Sequence, residues 1–297
     1  MATQQKPPVI IDKSALLHNR ERAQRIAKPD ADFLVRYAAE DLALRLSTIT
    51  KPFTKIADLN NAGSAILKTL QKTGSDAEVI QTKSPAFATS NSIVCEDDIV
   101  PFANASFDLI VSALNLQFVD DLPGTLIQIR RTLRPDGLFL GMVMGGSTLQ
   151  ELRQSFLVAE AELTGSANAR VLPFIDVKDA GHLLQRAGFA LPVTDTEHLT
   201  VRYNHPIDLM HDLRVMGAAN CIHGRSKAFL RREVFDRAVD YYVKNYSDAD
   251  GRIRATFEII SLSGWVPHES QQKPLKPGSA QISLKDVLGQ KSAKRNS

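Results

Sequence analysis

The chain has 297 residues, of which 43% are hydrophobic and 23% are charged. This length can bury a substantial core, and the composition is that of a globular protein rather than of a disordered or fibrous one. Its 36 Lys and Arg residues stand against 33 Asp and Glu residues, which gives a formal net charge of +3. A balance this close to neutral gives no reason to expect a nucleic-acid partner.

The N-terminal residues bear on the compartment of the protein. No stretch approaches the roughly 20 apolar residues of a membrane-spanning helix, and the chain does not begin with a secretory signal, so we expect no membrane span. Residues 13–28 are basic and amphipathic like an organelle-targeting peptide, but Asp12, Glu21 and Asp30 are acidic residues that such peptides tend to lack. We therefore expect a cytoplasmic protein. Cys95 and Cys221 indicate two reduced thiols, and we expect no metal site.

Helical and strand patterns alternate from residue 55 onward. Two helices are predicted before that point, over 13–27 and 32–46. We then expect strands at 55–59, 77–81, 92–95 and 107–114, with a helix at 61–71 between the first two. The strand at 107–114 is almost continuously apolar, which is typical of a strand that helices cover on both faces.

The clearest helix starts after Asp121, which caps its N-terminus, with Pro123 in the first turn. Thr148 and Glu151 have the spacing of a capping box and predict a further helix that ends near Gly165. The later elements are a turn at 135–137, a strand at 138–144, a helix at 178–187, a strand at 199–203, helices at 207–216 and 227–243, and a strand at 253–265. Such alternation predicts an α/β fold with a mostly parallel sheet and helices on both sides.

The chain divides into five parts on this interpretation. They are an N-terminal helical segment (1–50), a Rossmann-like core (51–205), a helical insertion or lid (206–250), the last strand returning to the sheet (251–270) and a basic C-terminal tail (271–297). An insertion before the last strand commonly covers a substrate in such folds.

Ligands of an open parallel sheet bind outside the carboxyl ends of its strands. Residues 58–63 follow the first strand and hold one glycine, so they fit an ordinary turn more readily than a nucleotide-binding loop. Gln81 and Thr82 end the second strand, where they can hydrogen-bond a ribose but carry no charge.

Polar residues also follow the third and fourth strands. Glu96 and Asp97 either accept a hydrogen bond from the amine of an adenine or form a solvated acidic turn. Asn115 and Gln117 either line a reacting centre or simply precede the next helix.

Three motifs in residues 97–153 resemble the type 11 group of class I S-adenosylmethionine-dependent methyltransferases. The group shares a Leu-Pro-Phe sequence, a Phe-Asp-Leu-Val strand and a Leu-Lys-Pro-Gly-Gly turn, and this chain has similar residues at 100–102, 107–110 and 133–137. The resemblance implies S-adenosyl-L-methionine as cofactor. It also implies a seven-stranded, mostly parallel Rossmann-like sheet with an antiparallel last strand.

A narrower resemblance extends over nearly the whole chain. Residues 145–153, 181–189, 208–217 and 264–271 look like motifs of the mitochondrial complex I assembly factors that hydroxylate an arginine of a complex I subunit. This resemblance implies a respiratory complex I subunit as partner. The malonyl-carrier-protein methyltransferases of biotin synthesis share the fold but match less well beyond the fifth strand.

The cofactor loop departs from the family pattern. The family has Asp-Leu-Gly-Cys-Gly-x-Gly, and residues 58–64 read Asp-Leu-Asn-Asn-Ala-Gly-Ser, without the first two glycines. The family's His-Trp pair after the fourth strand is replaced by Gln117 and Phe118, and the acidic residue that ends its second strand is missing here. Side chains where backbone must approach the cofactor predict that its binding is weakened or lost.

The resemblance places the cofactor on seven residues. Its methionine moiety would lie near Asp58, Asn60 and Gly63, and its adenine near Glu96 and Asp97. Asn115 and Gln117 would face the methyl group or the substrate. No catalytic residue is assigned, because methyl transfer depends mainly on the alignment of the reacting atoms.

Three functions stay open at this point. The first is a methyltransferase that acts on a small molecule or a protein side chain. The second is a protein-arginine hydroxylase or complex I assembly factor. The third is a non-catalytic scaffold with a degenerate cofactor loop, which binding of S-adenosylmethionine would argue against.

Overall fold

The structure is a computed structural model that describes residues 8–27, 33–59, 77–88 and 92–271. The described chain forms one unit up to Pro267 and a second, short one at residues 268–271. In the short unit, the backbone N–H of Ser270 donates to Nδ1 of His268 over 3.2 Å. The predicted helix at 61–71 lies outside the described residues.

Seven α-helices lie in the described part of the chain. They are α1 (Lys13–Arg25), α2 (Phe33–Ser47), α3 (Leu122–Thr132), α4 (Gln150–Thr164), α5 (Val177–Arg186), α6 (Pro206–Val215) and α7 (Arg232–Tyr246). Asp12 caps α1 and Asp121 caps α3, each with a side-chain oxygen that accepts from a backbone N–H of the first turn. None of the helices described here is long and apolar enough to cross a membrane.

The strands form one seven-stranded sheet in the order β3-β2-β1-β4-β5-β7-β6. They are β1 (Lys55–Asp58), β2 (Glu78–Lys83), β3 (Ile93–Val94), β4 (Phe107–Ala113), β5 (Leu133–Met144), β6 (Ala190–Tyr203) and β7 (Ile253–Trp265). β1 to β5 pair in parallel, whereas β7 runs antiparallel to both β5 and β6. The prediction of a mostly parallel, seven-stranded Rossmann-like sheet is confirmed.

Two hydrophobic clusters cover the two faces of the sheet. Leu109 and Val111 of β4 belong to the cluster that contains residues of α2, α4 and α7. Ile110 of β4 belongs to the other cluster, together with residues of α3 and α5. Both faces of β4 are therefore buried, which explains its nearly continuous apolar sequence.

The capping box expected at Thr148 and Glu151 does not form. The residue before α4 is Leu149, which has a left-handed conformation and no side-chain capping bond. Thr148 Oγ1 instead donates to the backbone oxygen of Glu258 over 3.1 Å, and Glu151 accepts from the backbone N–H of Thr256 over 3.1 Å. Glu151 of α4 and Thr148 just before it both bond to β7, so tertiary contacts have replaced the local one.

Other predicted bounds shift for identifiable reasons. The turn expected at 135–137 lies inside β5, where Asp136 has a φ of 62°. β6 starts at Ala190 rather than 199 because it pairs with β7 along its length, although its side chains alternate between partly buried and exposed positions. β7 has the same bounds as predicted.

Candidate active site

The carboxyl ends of β1 and β2 lie side by side in the sheet, with Asp58 opposite Gln81 in the register. Asp58 is fully buried, and its Oδ2 accepts a hydrogen bond of 2.9 Å from Nε2 of Gln81. The amide nitrogen of Gln81 is therefore engaged by Asp58, at the strand end where a hydrogen-bond partner for a ribose was expected. Asn60 and Gly63, the other two residues predicted for the methionine moiety, lie outside the described residues.

A closed polar cluster lies beyond β3 and β4. Arg20 of α1 donates from Nη1 to both oxygens of Asp97, over 3.1 and 2.8 Å, and from Nη2 to Oδ1 of Asn115 over 2.8 Å. Nδ2 of Asn115 donates in turn to Asp97 over 3.0 Å. The three residues are only 6%, 6% and 4% exposed, so their charges and dipoles are satisfied by one another rather than by water.

Two aromatic rings flank this cluster. The guanidinium carbon of Arg20 lies 5.9 Å from the ring centroid of Phe87 and 5.3 Å from that of Phe118. Both distances are within the range of cation–π attraction. We call Arg20, Asp97, Asn115, Phe87 and Phe118 the guanidinium cluster.

The sequence predicted Asp97 and Asn115 as site residues but missed Arg20. An available signal was helical spacing, since Leu16, Arg20 and Ala23 recur at intervals that place them on one face of α1, and all three are buried. An arginine in a charge-rich helix is usually solvated, which is why the pattern gave no prediction.

The other two residues predicted after β3 and β4, Glu96 and Gln117, differ in their surroundings. Glu96 is exposed and, unlike Asp97, is not part of the guanidinium cluster. Nε2 of Gln117 donates to the backbone oxygen of Leu114 over 2.7 Å, whereas its Oε1 is buried without a hydrogen-bond partner in the described part of the chain. A buried acceptor left unpaired is costly, so Gln117 favours a ligand that donates a hydrogen bond.

A cavity of about 660 Å³ opens beside these residues. The ends of β4 and β5 form its floor, and α1, α2, α6 and residues 170–174 and 216–220 form its walls. Its lining is mainly apolar and includes Leu114, Phe118, Met144, Leu152, Phe174, Met210, Leu213 and Phe257. A volume of this size holds a small ligand or a long side chain.

Two arginines also line the cavity. Arg170 is paired with the buried carboxylate of Glu160. Arg214 is exposed and forms no ion pair with any residue that the structure describes. Among the described residues that line the cavity, Arg214 thus supplies a positive charge without an ion pair.

Helix α1 is tied to both sides of this cleft. Lys13 contacts Asp98 over 2.6 Å and donates to the backbone oxygen of Phe118 over 2.9 Å. Arg225, beyond the cavity wall, donates to Asp12 over 2.8 Å. This hydrogen bond is the largest cause that holds the pKa of Asp12 below its ordinary value. The first turn of α1 thus links the loops after β3 and β4 to the insertion.

Comparisons with known proteins place this geometry in a family. Residues 63–141 match the methyltransferase domain family. The arginine-hydroxylase NDUFAF5 of Rattus norvegicus is 36% identical over 288 residues, which cover 94% of this chain and 83% of the relative. The human protein of the same name is also 36% identical, over the same shares of both chains.

The chain belongs to the NDUFAF5 family of class I methyltransferase-type proteins. A malonyl-[acyl-carrier protein] O-methyltransferase of Laribacter hongkongensis is 35% identical, over 65% of this chain and 62% of the relative. The sequence resemblance to the type 11 group and to the arginine-hydroxylase branch is thereby confirmed, and the chain is an S-adenosylmethionine-dependent methyltransferase-type protein.

Solved structures support the fold. The YcgJ protein of Bacillus subtilis has a TM-score of 0.50 at 13% identity, over 76% of this chain and 98% of that one. At this identity the likeness concerns the architecture alone.

The expected cytoplasmic location was wrong. The NDUFAF5 relatives of rat, zebrafish, mouse and human are all mitochondrial proteins. The expectation rested on acidic residues within and next to 13–28, but Lys13–Arg25 is a helix of the folded domain and Asp12 caps it. Asp12 therefore serves the fold, and its acidity carries no information about the compartment.

The described residues fit a nucleoside cofactor only in part, because Asp97 and Asn115 are bonded to Arg20. Asp58 and Glu96 supply carboxylates at the ends of β1 and β3, and Phe87 and Phe118 supply flat apolar surfaces. The fit is poorest at the end of β2, where Gln81 is bonded to Asp58. The residues described contain no group of three His, Cys, Asp or Glu side chains that could hold a metal ion.

Proposed function

We propose that this protein hydroxylates an arginine side chain of a respiratory complex I subunit. Its relatives are named arginine hydroxylases, and the motif resemblance is to complex I assembly factors. One observation carries the proposal: the NDUFAF5 similarity covers 94% of the chain. An alignment of that extent includes most of the helices that enclose the cavity as well as the sheet. The malonyl-[acyl-carrier protein] O-methyltransferase similarity covers only 65%.

The cavity has the size and lining to hold a long side chain that ends in hydrogen-bond donors. The apolar stem of an arginine would lie against Leu114, Phe118 and Met144, which line the cavity. Its guanidinium N–H groups would donate to the unpaired Oε1 of Gln117. The carboxyl ends of β4 and β5 would then hold the reacting carbon.

Hydroxylation replaces a C–H bond by a C–OH bond. With dioxygen as the oxidant, one oxygen atom enters the product and the other leaves as water, which consumes two electrons and two protons. We assign these electrons to an external two-electron reductant. The residues of this chain would orient the arginine and exclude bulk water from it.

We propose that S-adenosylmethionine binds to this cleft with reduced affinity. Its methionine moiety would lie near Asp58, Asn60 and Gly63, and its adenine near Glu96, with Asp97 beside it. The family's first two glycines are replaced by Asn60 and Ala62, so side chains stand where backbone would approach the cofactor. When bound, the cofactor supplies an activated methyl group or fills the cleft.

The proposed hydroxylation is tested in cells. Complex I subunits are isolated from a strain that lacks this protein and from the same strain complemented with it, and their arginine peptides are compared by mass spectrometry. The proposal expects a peptide that is lighter by one oxygen atom in the deletion strain. Identical peptides in both strains would refute it.

A second candidate function is methyl transfer to a carboxylate, and Arg214 favours it. Its guanidinium lines the cavity without an ion pair in the described chain, so it could bind an acidic acceptor. The test incubates the protein with labelled S-adenosylmethionine and a malonyl thioester. Labelled ester that forms with the wild type and falls about tenfold or more in Arg214→Gln supports this function. No ester above background refutes it.

A further inference from the structure

The guanidinium cluster contains the groups that proteins use to bind an arginine side chain. A carboxylate and an amide oxygen accept from two nitrogens of one guanidinium, at distances of 2.8 to 3.1 Å. The rings of Phe87 and Phe118 lie within 6 Å of its guanidinium carbon. Planar, forked recognition of this kind suits a guanidinium and does not suit an ammonium.

The cluster borders the cavity. Phe87 and Phe118 contribute both to the cluster and to the cavity lining, and Ala23 and Gln24, one turn beyond Arg20, line the cavity as well. An arginine that enters the cavity therefore reaches the rings that now flank Arg20.

We propose that Asp97, Asn115, Phe87 and Phe118 form a binding site for the arginine side chain of a partner protein, and that Arg20 is its internal occupant. The partner's arginine would take the place of Arg20 when it binds. The nature of this ligand rests on the proposed function, whereas the site itself rests on the geometry of the cluster.

An exchange of one guanidinium for another is the route that keeps Asp97 paired. A buried carboxylate that loses its cation is strongly destabilised, so a neutral ligand could not release Arg20. An incoming arginine restores the hydrogen bonds to Asp97 and Asn115, and one of its remaining N–H groups would donate to Oε1 of Gln117 from the cavity side. The release would have to move the second half of helix α1. Asp12 and Lys13 fix its first turn, and Asn19 donates to the backbone oxygen of Ala219 over 3.0 Å, whereas Gln24 and Arg25 in its last turn are exposed.

The test measures binding of N-acetyl-arginine amide, with N-acetyl-citrulline amide as the neutral probe of the same shape. We expect Arg20→Ala to bind the arginine probe at least about tenfold more tightly than the wild type, because the internal competitor is gone. Arg25→Ala, an exposed position on the same helix, should bind like the wild type. The double variant Arg20→Ala, Asp97→Asn should lose the gain.

Equal affinity of the arginine probe for folded Arg20→Ala and for the wild type would overturn the proposal, as would equal binding of the citrulline probe. If Arg20→Ala does not fold, hydrogen exchange in the wild type decides. Saturation with the arginine probe should then accelerate exchange in residues 13–25, and unchanged exchange there would overturn the proposal.

The two proposals fail separately. Tighter probe binding by Arg20→Ala in a protein that leaves complex I peptides unchanged would keep the site and refute the hydroxylase function. A modified arginine in complex I together with unchanged probe affinity would keep the function and refute the site.

Discussion

The side-chain amide of Gln81 donates a 2.9 Å hydrogen bond to the fully buried carboxylate of Asp58, and this contact joins the ends of β2 and β1 across the candidate cofactor cleft. An acidic residue at position 81, as the family pattern has, would face this carboxylate with a like charge. The neutral amide of Gln81 avoids this repulsion and supplies a donor.

Gln81→Glu should lower stability rather than restore a cofactor contact. The variant removes a donor and places two carboxylates together, which we expect to cost about 1–3 kcal/mol in the free energy of unfolding. Urea denaturation at neutral pH measures it. Gln154→Glu, at an exposed position of α4, is the control and should change stability by less than about 0.5 kcal/mol. A Gln81→Glu protein as stable as the wild type would show that the contact contributes nothing.

Gly145 and Gly146 follow β5 and should respond differently to alanine. A Cβ on Gly145 would lie 2.5 Å from Cδ of Glu258, whose carboxylate accepts from the backbone N–H of Ser147 over 2.6 Å. Gly145→Ala must displace that buried side chain, at a cost of about 1–3 kcal/mol. A Cβ on Gly146 would have no atom closer than 4.0 Å, so Gly146→Ala is the matched control. Equal melting temperatures for the two variants would contradict the packing described here.

Glycines in the first loop should improve cofactor binding. Asn60→Gly together with Ala62→Gly restores the first two glycines of the family pattern, and we expect the affinity for S-adenosylmethionine to rise about tenfold or more because backbone can then approach the ligand. Isothermal titration calorimetry measures it. Asn61→Gly, at the cysteine position of the family motif, is the control and should leave the affinity unchanged. No gain from the double variant would mean that the loop does not limit binding.

Asp12 should make α1 sensitive to acid. Its hydrogen bond from Arg225 lowers its pKa below the ordinary value of 3.8. A lowered pKa in the folded state means that the stabilisation is complete above about pH 5 and is lost as the pH falls through the folded-state pKa. Asp12→Asn should therefore flatten the fall in stability between about pH 5 and pH 2, measured by urea denaturation at each pH.

Asp236→Asn is the control for this pH dependence. Asp236 pairs with Arg232 at the surface over 3.6 Å and caps no helix. Its variant should keep the acid response of the wild type. An Asp12→Asn protein with the same acid response as the wild type would exclude a role for this carboxylate.

The sheet could be predicted from the sequence because its central strands are covered on both faces. The apolar run of β4 reflects its burial directly, so its position was predictable. The bounds of β7 were also predictable, although its burial is nearly continuous from Phe257 to Leu262 rather than alternating. The capping box predicted at Thr148 and Glu151 was wrong. Their spacing fits a local cap, but their partners Glu258 and Thr256 lie more than a hundred residues away in the sequence.

The candidate site was only partly predictable. The loops after β3 and β4 follow from strand order, which is why Asp97 and Asn115 could be named. Arg20 was not named, because its spacing with Leu16 and Ala23 indicates a buried face of α1 but does not show that this face contacts the loops after β3 and β4. The contact between α1 and these loops is a tertiary one that local sequence does not encode.

The central claim, that an arginine of complex I is the substrate, is tested most directly by tandem mass spectrometry of complex I subunits. The subunits come from the deletion strain complemented with the wild type or with Gln117→Ala, whose shortened side chain removes the buried acceptor Oε1. The account predicts one arginine that is heavier by a single oxygen atom with the wild type and largely unmodified with the variant. Two results in the strain complemented with the wild type would contradict it. One is that the arginine peptides are unmodified, and the other is that they are heavier by a methyl group.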